Sequence, residues 1–175
     1  WSYENDPGTR EIQRNIWTAQ NPLILGMFSR THLTISLANN FLRESTDEKL
    51  DSRGVSEGLR QEIAEYRAEA RLLRAQAYYY LMDLFGKANF GTEADPVNAV
   101  LPVADRTELF SYVETELLEL IQSNDLVDAG QNEYARADKG VARMILAKIY
   151  LNAQVYIGED RYADCLAQCE ILLNS

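Results

Sequence analysis

Residues 59–86 read LRQEIAEYRAEARLLRAQAYYYLMDLFG. Leu59, Ile63, Tyr66, Ala70, Leu73, Ala77, Tyr80 and Leu84 recur at intervals of three and four, the spacing that gathers side chains on one side of an α-helix. The intervening residues are mostly Ala, Leu, Glu and Arg, which are intrinsically favourable in helices. Gly86 follows the last periodic residue, as a C′ glycine does. The spacing predicts a helix over 59–85. Ala68, Ala70, Ala75 and Ala77 would let a neighbouring helix approach closely, with Leu72, Leu73 and the tyrosines filling the gaps. Tyr78, Tyr79 and Tyr80 are consecutive and spread around the helix, so they do not form one stacking surface, and the apolar period assigns Tyr80 to packing.

Working outward, the other segments have the same character. Ile12, Ile16 and Trp17 are spaced as in a short helix within 10–20, ahead of Asn21-Pro22, an N-cap followed by proline at the first helical position. That cap opens a helix to about Arg43. Residues 44–58 are charged and turn-rich and read as a loop. Residues 87–104 contain two prolines and no period and read as a long loop, a class that is often functional. Asp105 with Glu108 forms a capping-box pattern, opening a helix that fades near Leu126. After a polar loop over 128–137, helices are expected over 139–156 and 161–173, separated at Gly158. No strand-like alternation stands out. The expectation is an all-α fold of five or six helices, built from helix pairs like those of tetratricopeptide repeats. Leu146, Ala147 and Tyr150, then Tyr162, Cys165 and Cys169, match that repeat's large, small and aromatic positions.

Composition narrows the function. The chain has 175 residues, 46 % hydrophobic and 25 % charged, with net charge −10 and pI near 4.6. An acidic surface repels phosphate backbones and anionic lipid, so nucleic acid is not expected as a partner. Cys165, Cys169 and the lone His32 are too few for a closed zinc site, and the two cysteines are expected as core thiols. No stretch approaches the ~20 apolar residues of a membrane span. There is no GxSxG, HExxH, P-loop or GxGxxG motif, so no catalytic residue is assigned and the chain is not expected to be an enzyme. Beginning at Trp1 and stopping at Ser175 behind an apolar helix, the sequence is expected to be a single helical unit, 1–175, truncated at both ends of a longer protein.

The run Glu69-Ala70-Arg71-Leu72-Leu73-Arg74-Ala75, continuing through Tyr78-Tyr79-Tyr80-Leu81 to Leu84-Phe85-Gly86, resembles the signature of the SusD/RagB family of Bacteroidetes outer-membrane nutrient-binding lipoproteins. Residues 105–110 resemble the helix start after that family's loop, and residues 137–142 and 148–151 its next tetratricopeptide-like helix. Trp17 and the helix reaching Asn39-Asn40 match its early helix. Asn89 stands where the family often has proline, and the family's proteins are considerably longer. The resemblance implies surface capture of an oligosaccharide or other nutrient, delivery to a SusC-like TonB-dependent transporter, a lipid anchor lying outside this sequence, and no cofactor.

Sugars offer apolar C–H faces and hydroxyl edges, so their sites combine exposed aromatic rings with amide or charged groups. Trp17 with Asn21, one turn apart, is the best such pair; packing at a helix junction is the alternative for Trp17. Trp1 and Tyr3, in a polar stretch, are further candidates. Arg67, Arg71 and Arg74 share a stripe and read, with Glu69, as a solvated or inter-helix ion-pairing face. Glu93, Asp95 and Asn98 loosely resemble a calcium loop without the full spacing; a ligand edge or partner contact is the better reading of that loop. A plain tetratricopeptide-like adaptor for a protein segment is the competing functional class.

Overall fold

The computed structural model describes residues 8–174. Among them lie eight helices: α1 (Thr9–Gln13), α2 (Pro22–Glu44), α3 (Asp47–Ser52), α4 (Glu57–Phe85), α5 (Arg106–Gln122), α6 (Lys139–Leu151), α7 (Ala153–Tyr156) and α8 (Tyr162–Leu173). The fold is all-α. α4 packs against α2 and α5, α5 against α6, and α6 against α8.

The local stop and start signals operate as read. Asn21 caps α2 by accepting from the Leu23 and Ile24 amides at 3.0 and 3.4 Å. Asp105 and Glu108 form a reciprocal capping box on α5; Asp138, which the sequence reading does not single out, caps α6 by accepting from Val141 N–H. Gly86 sits at φ 74°, a left-handed conformation that glycine adopts without a Cβ clash, and its N–H returns to the Leu81 and Met82 carbonyls.

Several expectations are corrected. The segment 44–58 contains α3, whose Leu50 is buried and whose Asp47 and Glu48 lie in the first turn, where the helix dipole favours acids. The expected loop over 87–104 is bracketed by two short antiparallel strands, β1 (Lys87–Asn89) and β2 (Val103–Asp105), with Ala88 opposite Ala104 and both buried. The helix expected within 10–20 is only α1, because Asn15 turns the chain to φ 56°. α5 ends at Gln122 rather than near Leu126. The stretch 139–156 breaks at Asn152, which separates α6 from α7. Cys165 and Cys169 are half-buried, not fully enclosed.

The largest correction concerns which side of α4 faces inward. The stripe that predicts the helix is mostly its outer side: Leu59, Tyr66, Leu73, Tyr80 and Leu84 are all exposed. The buried side carries Ala68, Leu72, Ala75, Tyr78, Tyr79, Leu81 and Met82, together with Arg74. Tyr80 is thus the open member of the tyrosine run. The core gathers these residues with Leu109, Phe110, Val113, Leu117 and Leu120 of α5 and Ile145, Leu146, Ile149 and Tyr150 of α6. This assignment separates two neighbours sharply. Leu72→Ala should cost about 2–5 kcal/mol in urea unfolding, as large-to-small core changes do, whereas Leu73→Ala should stay within about 0.5 kcal/mol.

Candidate functional site

Trp17 lies on the connection between α1 and α2, 48 % exposed. Three backbone hydrogen bonds shape that connection: Asn15 N–H to Ile12, Ile16 N–H to Glu11, and Asn21 N–H to Thr18. Asn21 fixes the whole turn to α2. Besides capping the helix, its Nδ2 donates to the Gly8 carbonyl at 2.9 Å. Gly8 is required there, since it holds φ 96° and a Cβ would lie 2.7 Å from the Asn21 amide oxygen. Asn21 is 5 % exposed, with its carbonyl accepting and its amide donating. The sequence pairs it with Trp17 as a ligand contact; in the structure its amide holds the turn that carries Trp17.

Beneath Trp17 is a hollow of about 490 Å³. Leu23, Ile24 and Met27 of α2 and Leu84 and Phe85 of α4 form its floor, and Ile12, Thr18 and Ala19 complete the wall. Its lining is mostly apolar, with a half-open indole at the rim. Such a surface receives C–H faces and aromatic-scale contacts, and the Thr18 hydroxyl is a polar group at its edge. Trp1 and Tyr3 lie outside the described residues. His32, one turn after Phe28 on α2, lies tilted against that ring with centroids 4.2 Å apart and bonds through Nδ1 to the Phe28 carbonyl, so it takes part in packing.

The arginine stripe of α4 is an inter-helix ionic network. Arg71 clasps Glu116 of α5 through both its Nε and Nη2, at 2.9 and 3.0 Å, and also reaches Glu119 at 2.7 Å. Arg74, 3 % exposed, donates to Glu116 at 3.0 Å, to Asn39 of α2 at 2.7 Å, and to Glu93 of the long connection. Arg67 donates to the Leu42 carbonyl and Ser45 hydroxyl, both at 2.7 Å. Sequence reasoning missed Glu116 and Asn39, because neither carries a local signature of a partner 42 or 35 positions away.

The same network holds residues 90–96. Asn39 donates to the Gly91 carbonyl, and the Tyr78 hydroxyl both donates to that carbonyl and accepts from the Gly91 amide. Arg43 donates to the Glu93 and Asp95 carbonyls. Glu93 and Asp95 are engaged, Glu93 with Arg74 and Asp95 Oδ2 with the Thr92 amide. Among the described residues no group of three or more His, Cys, Asp or Glu side chains is placed to hold a metal ion.

No protein-family model matches the sequence. The starch-binding protein SusD of Bacteroides thetaiotaomicron is 34 % identical over 164 residues, covering 93 % of this chain and 27 % of SusD. A crystal structure of a SusD homolog from the same species superposes with a TM-score of 0.77 over 98 % of this chain and 34 % of that one, at 23 % identity. A structure solved with a xylogluco-oligosaccharide gives a TM-score of 0.63 at 25 % identity, over 81 % of this chain and 26 % of that one. The chain belongs to the SusD/RagB family. It spans about a quarter of the length of the curated relatives it matches.

The network in this SusD-family chain makes two predictions. Removing Arg74 leaves Glu116 and Glu93 without their shared cation, so Arg74→Met should cost about 3–5 kcal/mol in urea unfolding, the scale of breaking a buried ion pair. Burial alone would push the Glu93 carboxyl up, but the Arg74 hydrogen bond and its own backbone amide outweigh that and hold it below the usual range. A carboxyl depressed by folding stabilises the protein above its unfolded pKa of about 4.3, and loses that contribution as pH falls through the lower folded value. The melting temperature of Glu93→Gln should therefore lie below wild type at neutral pH, and the gap should close below about pH 4.

Proposed function

We propose that residues 1–175 are a helical unit of a surface glycan-binding protein that captures an oligosaccharide at the outer membrane. In this reading the longer protein is held there by a lipid anchor and passes its ligand to a SusC-like TonB-dependent transporter. Its work is binding, without turnover. The observation that carries the proposal is the half-open Trp17 indole over an apolar hollow, in a chain one-third identical to a protein named for starch binding. A ring rigidly mounted on a capped turn loses little conformational freedom when a sugar stacks on it. The xylogluco-oligosaccharide bound to one structural neighbour supports the same ligand class.

A second reading rests on a different surface. Leu59, Tyr66, Leu73 and Tyr80 are spaced by seven along the outer side of α4 and are exposed, a pattern that an amphipathic helix of a protein partner could cover. Calorimetry and affinity electrophoresis separate the two. Malto-oligosaccharide, xyloglucan and laminarin should include at least one ligand, and Trp17→Ala should weaken its binding roughly 30-fold, the scale of losing an aromatic anchor. The melting temperature of that variant should be unchanged. Silence across all three glycans, or binding indifferent to Trp17→Ala, counts against the proposal.

A further inference from the structure

We infer a second saccharide-contact site, at the other end of α2, that takes one neutral sugar ring. A recess of about 170 Å³ lies between the C-terminal half of α2 and the tethered connection 91–101. This is smaller than the ~300 Å³ at which pockets for drug-sized ligands begin, so it admits a single ring rather than a chain. Its rim carries unused polar groups of both kinds. The Asn40 side chain makes no hydrogen bond among the described residues. Arg43 spends Nε and Nη2 on the Glu93 and Asp95 carbonyls and keeps Nη1. Asp95 spends Oδ2 on Thr92 and keeps Oδ1. Pro96, Val97 and Leu101 supply the apolar wall.

That combination selects its ligand. An anion would face the Asp95 carboxylate on a protein of net charge −10. A cation would meet one carboxylate beside the Arg43 guanidinium. A hydroxylated ring offers donors and acceptors at its edge and C–H groups on its face, and so satisfies the amide, the guanidinium, the carboxylate and the apolar wall together. The recess is also preformed. The Tyr78, Asn39 and Arg43 hydrogen bonds fix the connection, and Leu101 packs so closely on Gly91 that a Cβ there would meet it at 2.6 Å. From Leu23, in the hollow below Trp17, to Asn40 is roughly 25 Å at about 1.5 Å per residue. The two sites are therefore separate contact points on one helix.

The choice of a sugar rests on the glycan-binding reading above, so the test keeps the two apart. ¹H–¹⁵N NMR of the chain titrated with methyl α-glucoside and methyl β-xyloside reads both places at once. At least one glycoside should move the Asn40 side-chain signal and the Thr92 and Asp95 amides. Asn40→Ala should weaken the Thr92 and Asp95 response roughly five- to tenfold, the loss of one or two neutral hydrogen bonds, and leave any Trp17 indole response unchanged. Trp17→Ala should leave the Thr92 and Asp95 response unchanged. Recess signals that stay fixed while the Trp17 indole moves overturn this inference and leave the glycan reading intact. Recess shifts that persist undiminished in Asn40→Ala overturn it as well, and no movement at either place overturns both.

Discussion

Arg74 puts a permanent charge where 3 % of the residue is exposed, and a buried guanidinium must be matched by charge and hydrogen bonds or the fold loses several kcal/mol. Its partners come from three places: Asn39 on α2, Glu116 on α5 and Glu93 on the connection between β1 and β2. Pairing the two terminal nitrogens of one side chain on α4 therefore fixes three other segments at once, while its buried Nε is left without a hydrogen bond. Arg71 adds a two-pronged clasp on the same Glu116, so that carboxylate, itself largely buried, is held by two cations. Well-packed apolar residues could fill such a volume at similar stability. They would not dictate that this particular connection lie against this part of α2, because apolar contact is non-directional.

That geometric demand shows which features are legible in the sequence. The Asn21-Pro22 cap, the Asp105–Glu108 box and the Gly86 stop are local: each is encoded within four residues and forms whatever the rest of the chain does. The helical class follows from them and from periodicity. The inward side of α4 is harder, because two apolar stripes compete. Leu59, Tyr66, Leu73 and Tyr80 form the cleaner one, yet the buried one is interrupted by Arg74, a charged residue that a hydrophobicity pattern assigns to the outside. Distant groups hold Arg74 and Tyr78 inward, namely Glu116, Asn39 and Glu93 for the arginine and Gly91 for the tyrosine, and nothing near them in sequence announces the pairing. The strands flanking the connection are three residues each, too short for alternation to emerge.

The candidate site was legible in the same uneven way. Trp17 is found by its residue type and polar surroundings, and its exposure fits a contact surface. Asn21-Pro22 reads as a helix cap from the sequence, and the structure shows that cap. What one dimension does not show is that the same amide also holds the preceding turn, through the Gly8 carbonyl thirteen positions earlier. The recess at Asn40 gave no sequence signal beyond a loop of unusual length, since its walls come from two segments about fifty residues apart.

The ionic network and the two proposed sugar-contact surfaces are parts of one arrangement. α2 is 23 residues long, about 35 Å at ~1.5 Å per residue, and it carries the floor of the Trp17 hollow at one end and Asn40 and Arg43 at the other. Between them Asn39 is bonded to both Arg74 and Gly91, so the rod is pinned to α4 and to the connection near its far end, while Phe28 packs on Phe85 near its start. A weak contact at each end of a pinned rod keeps a constant spacing. A repeating polymer can engage both without ordering the protein again for the second contact, so affinity grows by linkage rather than by any single deep pocket. In the proposed reading, two shallow contacts at a fixed spacing serve a long ligand in place of one deep pocket. The rigidity supplied by buried charge stands in for the enclosure that a small-molecule site would need.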